Sequence, residues 1–281
     1  MTDSPTWRQL LDDAAARLGE RLDARRIVEQ ASGYEGAELT LALDEHPTEL
    51  THNHFRTMLE RRAAGEPLQY VLGRWGFRSL DVFVDARVLI PRPETELVVE
   101  HALAVIDDTG ARLAVDLGTG SGVIALSLAS ERPGLEVWGT DASPSALDVA
   151  RANLAGIGRA ATRVRLEQGD WFDALPAELA GAIDVVVSNP PYIAADDVLP
   201  REVSEWEPHA ALVAGPRGLE AIEHIVDAAP AWLRPTGALV VEIGETQAER
   251  VIELAQRRFT IVDVRTDLVG RPRVLVAQTL A

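Results

Sequence analysis

From residue 112 onward, short apolar runs alternate with amphipathic stretches, and this alternation constrains the fold more than any other feature of the chain. The runs at 112–117, 136–140, 163–168, 183–188, 237–243, 259–265 and 273–279 have the length of buried strands. Stretches at 122–131, 144–155, 217–233 and 247–257 fit helices between them. Strands joined through helices pair in parallel, because each crossover returns the chain to the same end of the sheet. The expected class is α/β, a Rossmann-like, largely parallel, doubly wound sheet of seven strands with helices on both faces. Asp267 to Pro272 reads as a turn, so the last two strands are expected to pair as an antiparallel hairpin at the end of the sheet.

The first third of the chain has a different period. Residues 1–66 read as all-helical, with candidates at 6–18, 23–31, 35–43 and 47–64 punctuated by Gly19, Gly33 and Gly65. Trp7, Leu10, Leu11, Ala14 and Leu18 fall near helical spacing in the first of these. Residues 67–93 read as a linker containing a hairpin: Tyr70 to Leu72, Trp75 with Phe77, and Val82 to Val84 are its candidate strands. Pro91 and Pro93 then stiffen a charged passage that feeds a helix from Glu94 to about Val105. The expected organisation is 1–66, 67–93 and 94–281.

Composition removes several chemistries. The chain has no cysteine, which excludes disulfides, thiolate metal ligands and a cysteine nucleophile. His46, His52 and His54 cluster, but no acidic or sulfur ligand pattern frames them, and no metal is expected. With 27 Lys plus Arg against 44 Asp plus Glu, the net charge of -17 disfavours loose binding to a polyanion. Apolar runs break well before a membrane span, and no signal peptide is evident, so a cytoplasmic location without membrane attachment is expected.

Asp116-Leu117-Gly118-Thr119-Gly120-Ser121-Gly122 lies directly between a strand and a helix. Glycines there permit a tight turn and close approach of a ligand to backbone. The loop lacks the Gly-Lys-Ser/Thr ending of a phosphate loop. The next strand ends at Asp141, about 20 residues further on, where a carboxylate can accept both hydroxyls of a ribose. The pair suits a dinucleotide or S-adenosylmethionine, and the downstream sequence favours the latter. Asp170 ends the third strand ahead of Trp171, placing an acceptor and a ring where adenine would lie, unless they only cap a turn and fill core. Asp116 could take the methionine ammonium or cap the loop backbone.

The fourth run, Val185-Val186-Val187-Ser188, stops at Asn189-Pro190-Pro191-Tyr192. Prolines cannot donate to a sheet ladder, so Asn189 and Tyr192 are left at the carboxyl end of a strand, where open α/β sheets bind ligands. Transfer of a methyl group from sulfonium to a planar amide or aryl amine needs orientation more than acid–base help, because the nitrogen lone pair is delocalised. Asn189 offers a side-chain carbonyl, Pro190 a backbone carbonyl with no competing N–H, and Tyr192 a flat ring. This set suits glutamine, asparagine, adenine N6 or cytosine N4.

These segments, with Val88-Leu89-Ile90-Pro91-Arg92-Pro93-Glu94-Thr95-Glu96, Glu207-Pro208, Gly215 to Leu219 and Glu242-Ile243-Gly244, resemble the peptide chain release factor glutamine methyltransferase family (PrmC/HemK) over nearly the whole chain. The resemblance implies S-adenosylmethionine-dependent methylation of the amide nitrogen of the glutamine in the Gly-Gly-Gln motif of bacterial class 1 release factors. It implies a catalytic and substrate site at Asn189, Pro190, Pro191 and Tyr192, walled by Arg92 and Glu94. Its cofactor site maps to Asp116, Gly118, Thr119, Gly120, Gly122, Asp141, Asp170, Trp171 and Asn189. It further implies a helical N-terminal domain that helps grip the release factor. A Gly-Gly-x-x-Gly-Leu pattern of the family is here Ala214-Gly215-Pro216-Arg217-Gly218-Leu219. Adenine N6 methylation of DNA or RNA is the alternative. Net charge and the lack of a basic, aromatic insertion weigh against it, so no stable nucleic-acid partner is expected; a monomer is expected separately.

Overall fold

The computed structural model describes residues 4–280, so expectations that touch 1–3 and 281 lie outside the described residues. Two compact units form, Met1–Arg74 with Arg201–Trp206, and Trp75–Pro200 with Glu207–Ala281.

The first unit is helical. α1 (Trp7–Leu18) starts in a capping box: the Thr6 hydroxyl accepts from the Gln9 N–H, and the Gln9 side chain accepts from the Thr6 N–H. α2 (Arg21–Ser32), like α1, ends at a left-handed glycine, Gly33 and Gly19 respectively. α3 (Gly36–Ala42) and α4 (Glu49–Ala63) follow. Trp7, Leu10, Ile27, Val28, Leu39, Phe55 and Met58 form the core, with Trp7 edge-on to Phe55. Tyr70 to Leu72, expected as a strand, is helical, in α5 (Leu68–Leu72). Pro67 and a left-handed Gly73 bracket five residues, enough to close one turn, and Leu68, Tyr70 and Val71 are buried by it. The short α9 (Arg201–Trp206) also belongs to this unit. Arg62 bonds Asp23 at 2.7 Å and Glu202 at 2.8 Å.

A hairpin of β1 (Arg74–Phe77) and β2 (Leu80–Phe83) leads to α6 (Pro93–Thr109), where Pro93 occupies the first turn and needs no donor. The second unit then builds β3 (Leu113–Leu117), α7 (Val123–Glu131), β4 (Glu136–Asp141), α8 (Pro144–Gly156), β5 (Val164–Gln168) and β6 (Ile183–Ser188). After the two-residue β7 (Ile193–Ala194) come β8 (Val213–Gly215), α10 (Glu220–Trp232), β9 (Leu233–Glu242), α11 (Ala248–Ala255), β10 (Phe259–Thr266) and β11 (Pro272–Leu280). The seven-stranded sheet has the order β10-β11-β9-β6-β3-β4-β5. β6, β3, β4 and β5 run parallel, with β9 parallel to β6, and β11 is antiparallel to both β9 and β10, which is the expected terminal hairpin.

β3 lies between β4, which follows it, and β6, which comes later. Chain direction across the sheet reverses there, and a crevice opens above the strand ends. Every residue of β6 is buried. Each of Val185, Val186 and Val187 contributes about 1.5–3 kcal/mol by burial, which holds the strand end rigid under the crevice. β9 begins earlier than the expected 237, and its register to β6 shifts between Ile183 and Val185. The pairing of β7 with β8 was not legible as alternation, being two residues against three.

Candidate active site

The glycine loop leaves β3 with Gly118, Gly120 and Gly122 all at positive φ, a region L side chains rarely adopt. It lies over the end of β4: the Thr119 N–H donates to the Thr140 carbonyl, and the Gly120 N–H to Asp141 Oδ2, both at 2.8 Å. Asp116 is fully buried beneath it. Its Oδ2 accepts from the Thr119 hydroxyl at 2.6 Å and the Ala125 N–H at 3.1 Å, while Oδ1 is buried with no partner. Burial lifts its pKa to about 7 against those two donors. Gly122 caps α7 and faces Leu126 and Ala150.

Asp141 Oδ1 accepts from the Ser143 N–H at 2.9 Å, so each of its oxygens keeps a lone pair. Desolvation raises its pKa, opposed by the Ser143 and Gly120 N–H groups. The Trp171 ring closes over the loop, and a Cβ at Gly118 would meet it at 3.4 Å. Trp171 itself has φ 47, and the Thr140 hydroxyl holds its carbonyl at 2.9 Å. Asp170 is exposed beside it.

At the end of β6, Asn189 Nδ2 donates to Thr95 Oγ1 at 3.0 Å. Thr95 Oγ1 donates to Glu242 Oε2 at 2.6 Å, and the Tyr192 hydroxyl donates to Glu242 Oε1 at 3.2 Å. Glu242, the last residue of β9, has no exposed surface, and burial raises its pKa to about 7. Burial, with Glu242 alongside, also raises the pKa of Tyr192. Gln247 Nε2 donates to the Tyr192 and Gly218 carbonyls, both at 2.9 Å. Glu207, buried, pairs with Arg92 and accepts from the Ile90 N–H at 3.1 Å, joining the Pro91–Pro93 passage to the segment after the motif.

A cleft of about 310 Å³ brings Arg92, Gly118, Thr119, Gly120, Asp141, Asp170, Trp171, Asn189 and Pro191 onto one surface. Asp116, Gly122, Pro190, Tyr192 and Glu94 do not line it. Asp116 and Gly122 shape the loop from below, Pro190 is buried, and Tyr192 is tied down by Glu242. Glu94 lies 3.8 Å from Arg271 and 3.9 Å from Arg273, in a charge cluster with Glu245 and Asp267. Nothing in the sequence assigns a role to Thr95, Glu242 or Gln247. Thr95 and Glu242 stand inside segments that drew attention, but which polar groups meet is a tertiary fact.

The cleft fits S-adenosylmethionine on its own donor and acceptor set: a carboxylate with open lone pairs at the end of β4, an orphaned buried carboxylate oxygen under the loop, and a ring against a loop glycine. Among the described residues, no cluster of His, Asp or Glu could hold a metal.

Comparison with known proteins adds the following. Residues 94–205 match the family model described as methyltransferase small domain, and residues 7–73 that described as PrmC N-terminal domain. The chain is 41% identical over 276 residues to "Release factor glutamine methyltransferase" of Xylella fastidiosa, covering 98% of each chain. It is 43% identical over 269 residues to the protein of the same name from Bordetella pertussis, covering 94% of this chain and 97% of that one. Among solved structures, the hMettl16 catalytic domain in complex with an RNA hairpin aligns with TM-score 0.54 at 16% identity over 81% of each chain. The T. thermophilus 16S rRNA N2 methyltransferase RsmC, in complex with AdoMet and guanosine, aligns with TM-score 0.51 at 19% identity, over 73% of this chain and 49% of that one. At these identities the two structures share the fold.

Proposed function

This chain belongs to the release factor glutamine methyltransferase family, and from that premise we propose how its residues carry the reaction. The enzyme methylates glutamine in release factors with S-adenosylmethionine as donor. We place the accepting residue in the Gly-Gly-Gln motif of a bacterial class 1 release factor and the new bond at its side-chain amide nitrogen.

Bound in the cleft, S-adenosylmethionine supplies an electrophilic methyl group. Asp141 accepts the ribose hydroxyls with its remaining lone pairs. Gly118 and Gly120 let the ligand approach backbone, Thr119 and Gly122 hold the loop shape, and Asp116, buried beneath the loop, reaches the ammonium only through water. Asp170 and Trp171 border adenine. At the end of β6, Asn189 Oδ1 and the Pro190 carbonyl accept the two N–H groups of the incoming amide. Two fixed acceptors orient the nitrogen for in-line attack and stabilise the positive charge that grows on it. Tyr192 packs beside the planar group, and Pro191 and Arg92 wall its entrance, while Glu94 stands off it beside Arg271 and Arg273. Residues 1–66 help grip the release factor outside the cleft. We place the enzyme in the cytoplasm as a monomer with no stable nucleic-acid or membrane partner. Among the described residues, no helix is long and apolar enough to cross a membrane.

The observation that carries this reading is that Asn189 shares one cleft with Gly118, Gly120 and Asp141. Asn189→Ala is expected to lower single-turnover methyl transfer by about 100-fold or more, the scale for loss of one preorganised polar group. Calorimetry should find S-adenosylmethionine affinity within about twofold of the parent, since each factor of two is only ~0.4 kcal/mol. An unchanged rate would remove Asn189 from the reaction.

A further inference from the structure

The role of Asn189 depends on which end of its side-chain amide faces the cleft. An amide presents an acceptor at one end and two donors at the other, in nearly the same shape. A reversed Asn189 would offer N–H groups to a substrate that itself offers N–H groups. Packing alone discriminates poorly between the two orientations, so something polar must decide.

Glu242 is fully buried at the end of β9, and in its ionised form, which prevails above about pH 7, it only accepts. Its two oxygens take the hydroxyl protons of Thr95, at 2.6 Å, and Tyr192, at 3.2 Å. Thr95 has one hydroxyl proton, and it is committed to Glu242. Toward Asn189, 3.0 Å away, Thr95 Oγ1 has only lone pairs to show. The Asn189 group facing it must therefore be the NH₂, which leaves Oδ1 on the other side. Reversal would set oxygen against oxygen in a part-buried place and leave the hydrogen bond unmade. Thr95 is itself held in place. It sits in the first turn of α6, begun by Pro93, and its N–H donates to the Arg92 carbonyl at 3.1 Å. The stiff proline passage ahead of α6 thus has a definite product, a hydroxyl at a fixed point beside the motif.

We propose that Glu242, acting through the Thr95 hydroxyl, is a positioning residue that sets the side-chain amide of Asn189 with its carbonyl oxygen toward the substrate nitrogen. The same carboxylate pins the Tyr192 hydroxyl, so one buried group orders both side chains of the motif. This inference rests on the acceptor role assigned to Asn189 above and goes beyond it.

Thr95→Val tests it, because valine keeps the shape and removes the relay. The expected result is a kcat lower by about twofold, because losing the preference leaves roughly half of the molecules with the amide correctly turned, with KM for release factor and calorimetric affinity for S-adenosylmethionine close to the parent. Thr95→Ser restores the hydroxyl and most of kcat. In an Asn189→Ala background, Thr95→Val costs nothing further, since there is no amide left to orient. Glu242→Gln is measured in parallel and stays informative if the valine variant does not fold. Its side chain can offer Thr95 a donor as readily as an acceptor, so kcat falls while cofactor affinity holds. Full kcat in both Thr95→Val and Glu242→Gln would overturn the proposal, as would a Thr95→Val loss that persists undiminished without Asn189. Should Asn189→Ala alone leave kcat intact, the acceptor role fails before the relay is in question.

Discussion

At the scale of residues, the site depends on two carboxylates that water cannot reach. Glu242 titrates at about 7 rather than its ordinary 4.5, chiefly through burial; Glu94 raises it further, while the Thr95 and Tyr192 hydroxyls and Arg273 pull it down. A carboxylate raised in the folded state binds its proton more tightly there than in the unfolded chain. Its contribution to stability is therefore complete below about 4.5 and is lost as pH rises through about 7. Glu242→Gln removes that loss. The variant should be more stable than the parent at pH 8, on the order of 1–3 kcal/mol, with the difference shrinking toward pH 4.5, as read by urea unfolding at each pH. Asp116 has the same sign but is common to both proteins, so the comparison isolates residue 242. An equal difference at both pH values would show that burial does not destabilise the Glu242 carboxylate. Much of this level was legible in sequence: Asp141 at a strand end and Asn189 before two prolines could be read as ligand-facing. Glu242 and Thr95 could not be given roles, because they are 147 positions apart and meet only through the pairing of α6 with the sheet.

At the scale of elements, the motif after β6 is kept in place by a turn that comes much later in the chain. Gly218 has φ 72, and a Cβ there would stand 2.7 Å from the Tyr192 carbonyl and 2.9 Å from the Ala194 nitrogen. Gln247 Nε2 bonds the Tyr192 and Gly218 carbonyls as well. Gly218→Ala should therefore cost roughly 1–3 kcal/mol, from strain and from displacement of the Tyr192 backbone. Its melting temperature should fall, and KM for release factor should rise with cofactor affinity unchanged. A variant that matched the parent in both would show that the close approach carries no constraint. Elements with a strong internal signal were readable in advance: β6 as an unbroken apolar run, the last two strands as a hairpin. Tyr70 to Leu72 was misread because three apolar residues have no period of their own, and the flanking Pro67 and Gly73 chose a helical turn. The β7–β8 pair, two residues against three, is too short to alternate.

At the scale of the whole molecule, two compact units and a strongly acidic surface bear on the choice of substrate. A planar amino group on glutamine and one on adenine satisfy the same acceptor pair. A nucleic acid must also be held along its phosphates, and a base taken from a duplex must be unstacked at a cost of a few kcal/mol. A net charge of -17 disfavours the first of these. A protein loop that ends in glycine, glycine and glutamine needs neither. Transfer of labelled methyl from S-adenosylmethionine to purified class 1 release factor, beside its Gly-Gly-Gln→Gly-Gly-Ala form and unmethylated DNA, separates the two most directly. Label on the parent factor alone is the predicted result. Label on the alanine form would place the methyl on another residue, and label on DNA in place of the factor would contradict glutamine as the substrate.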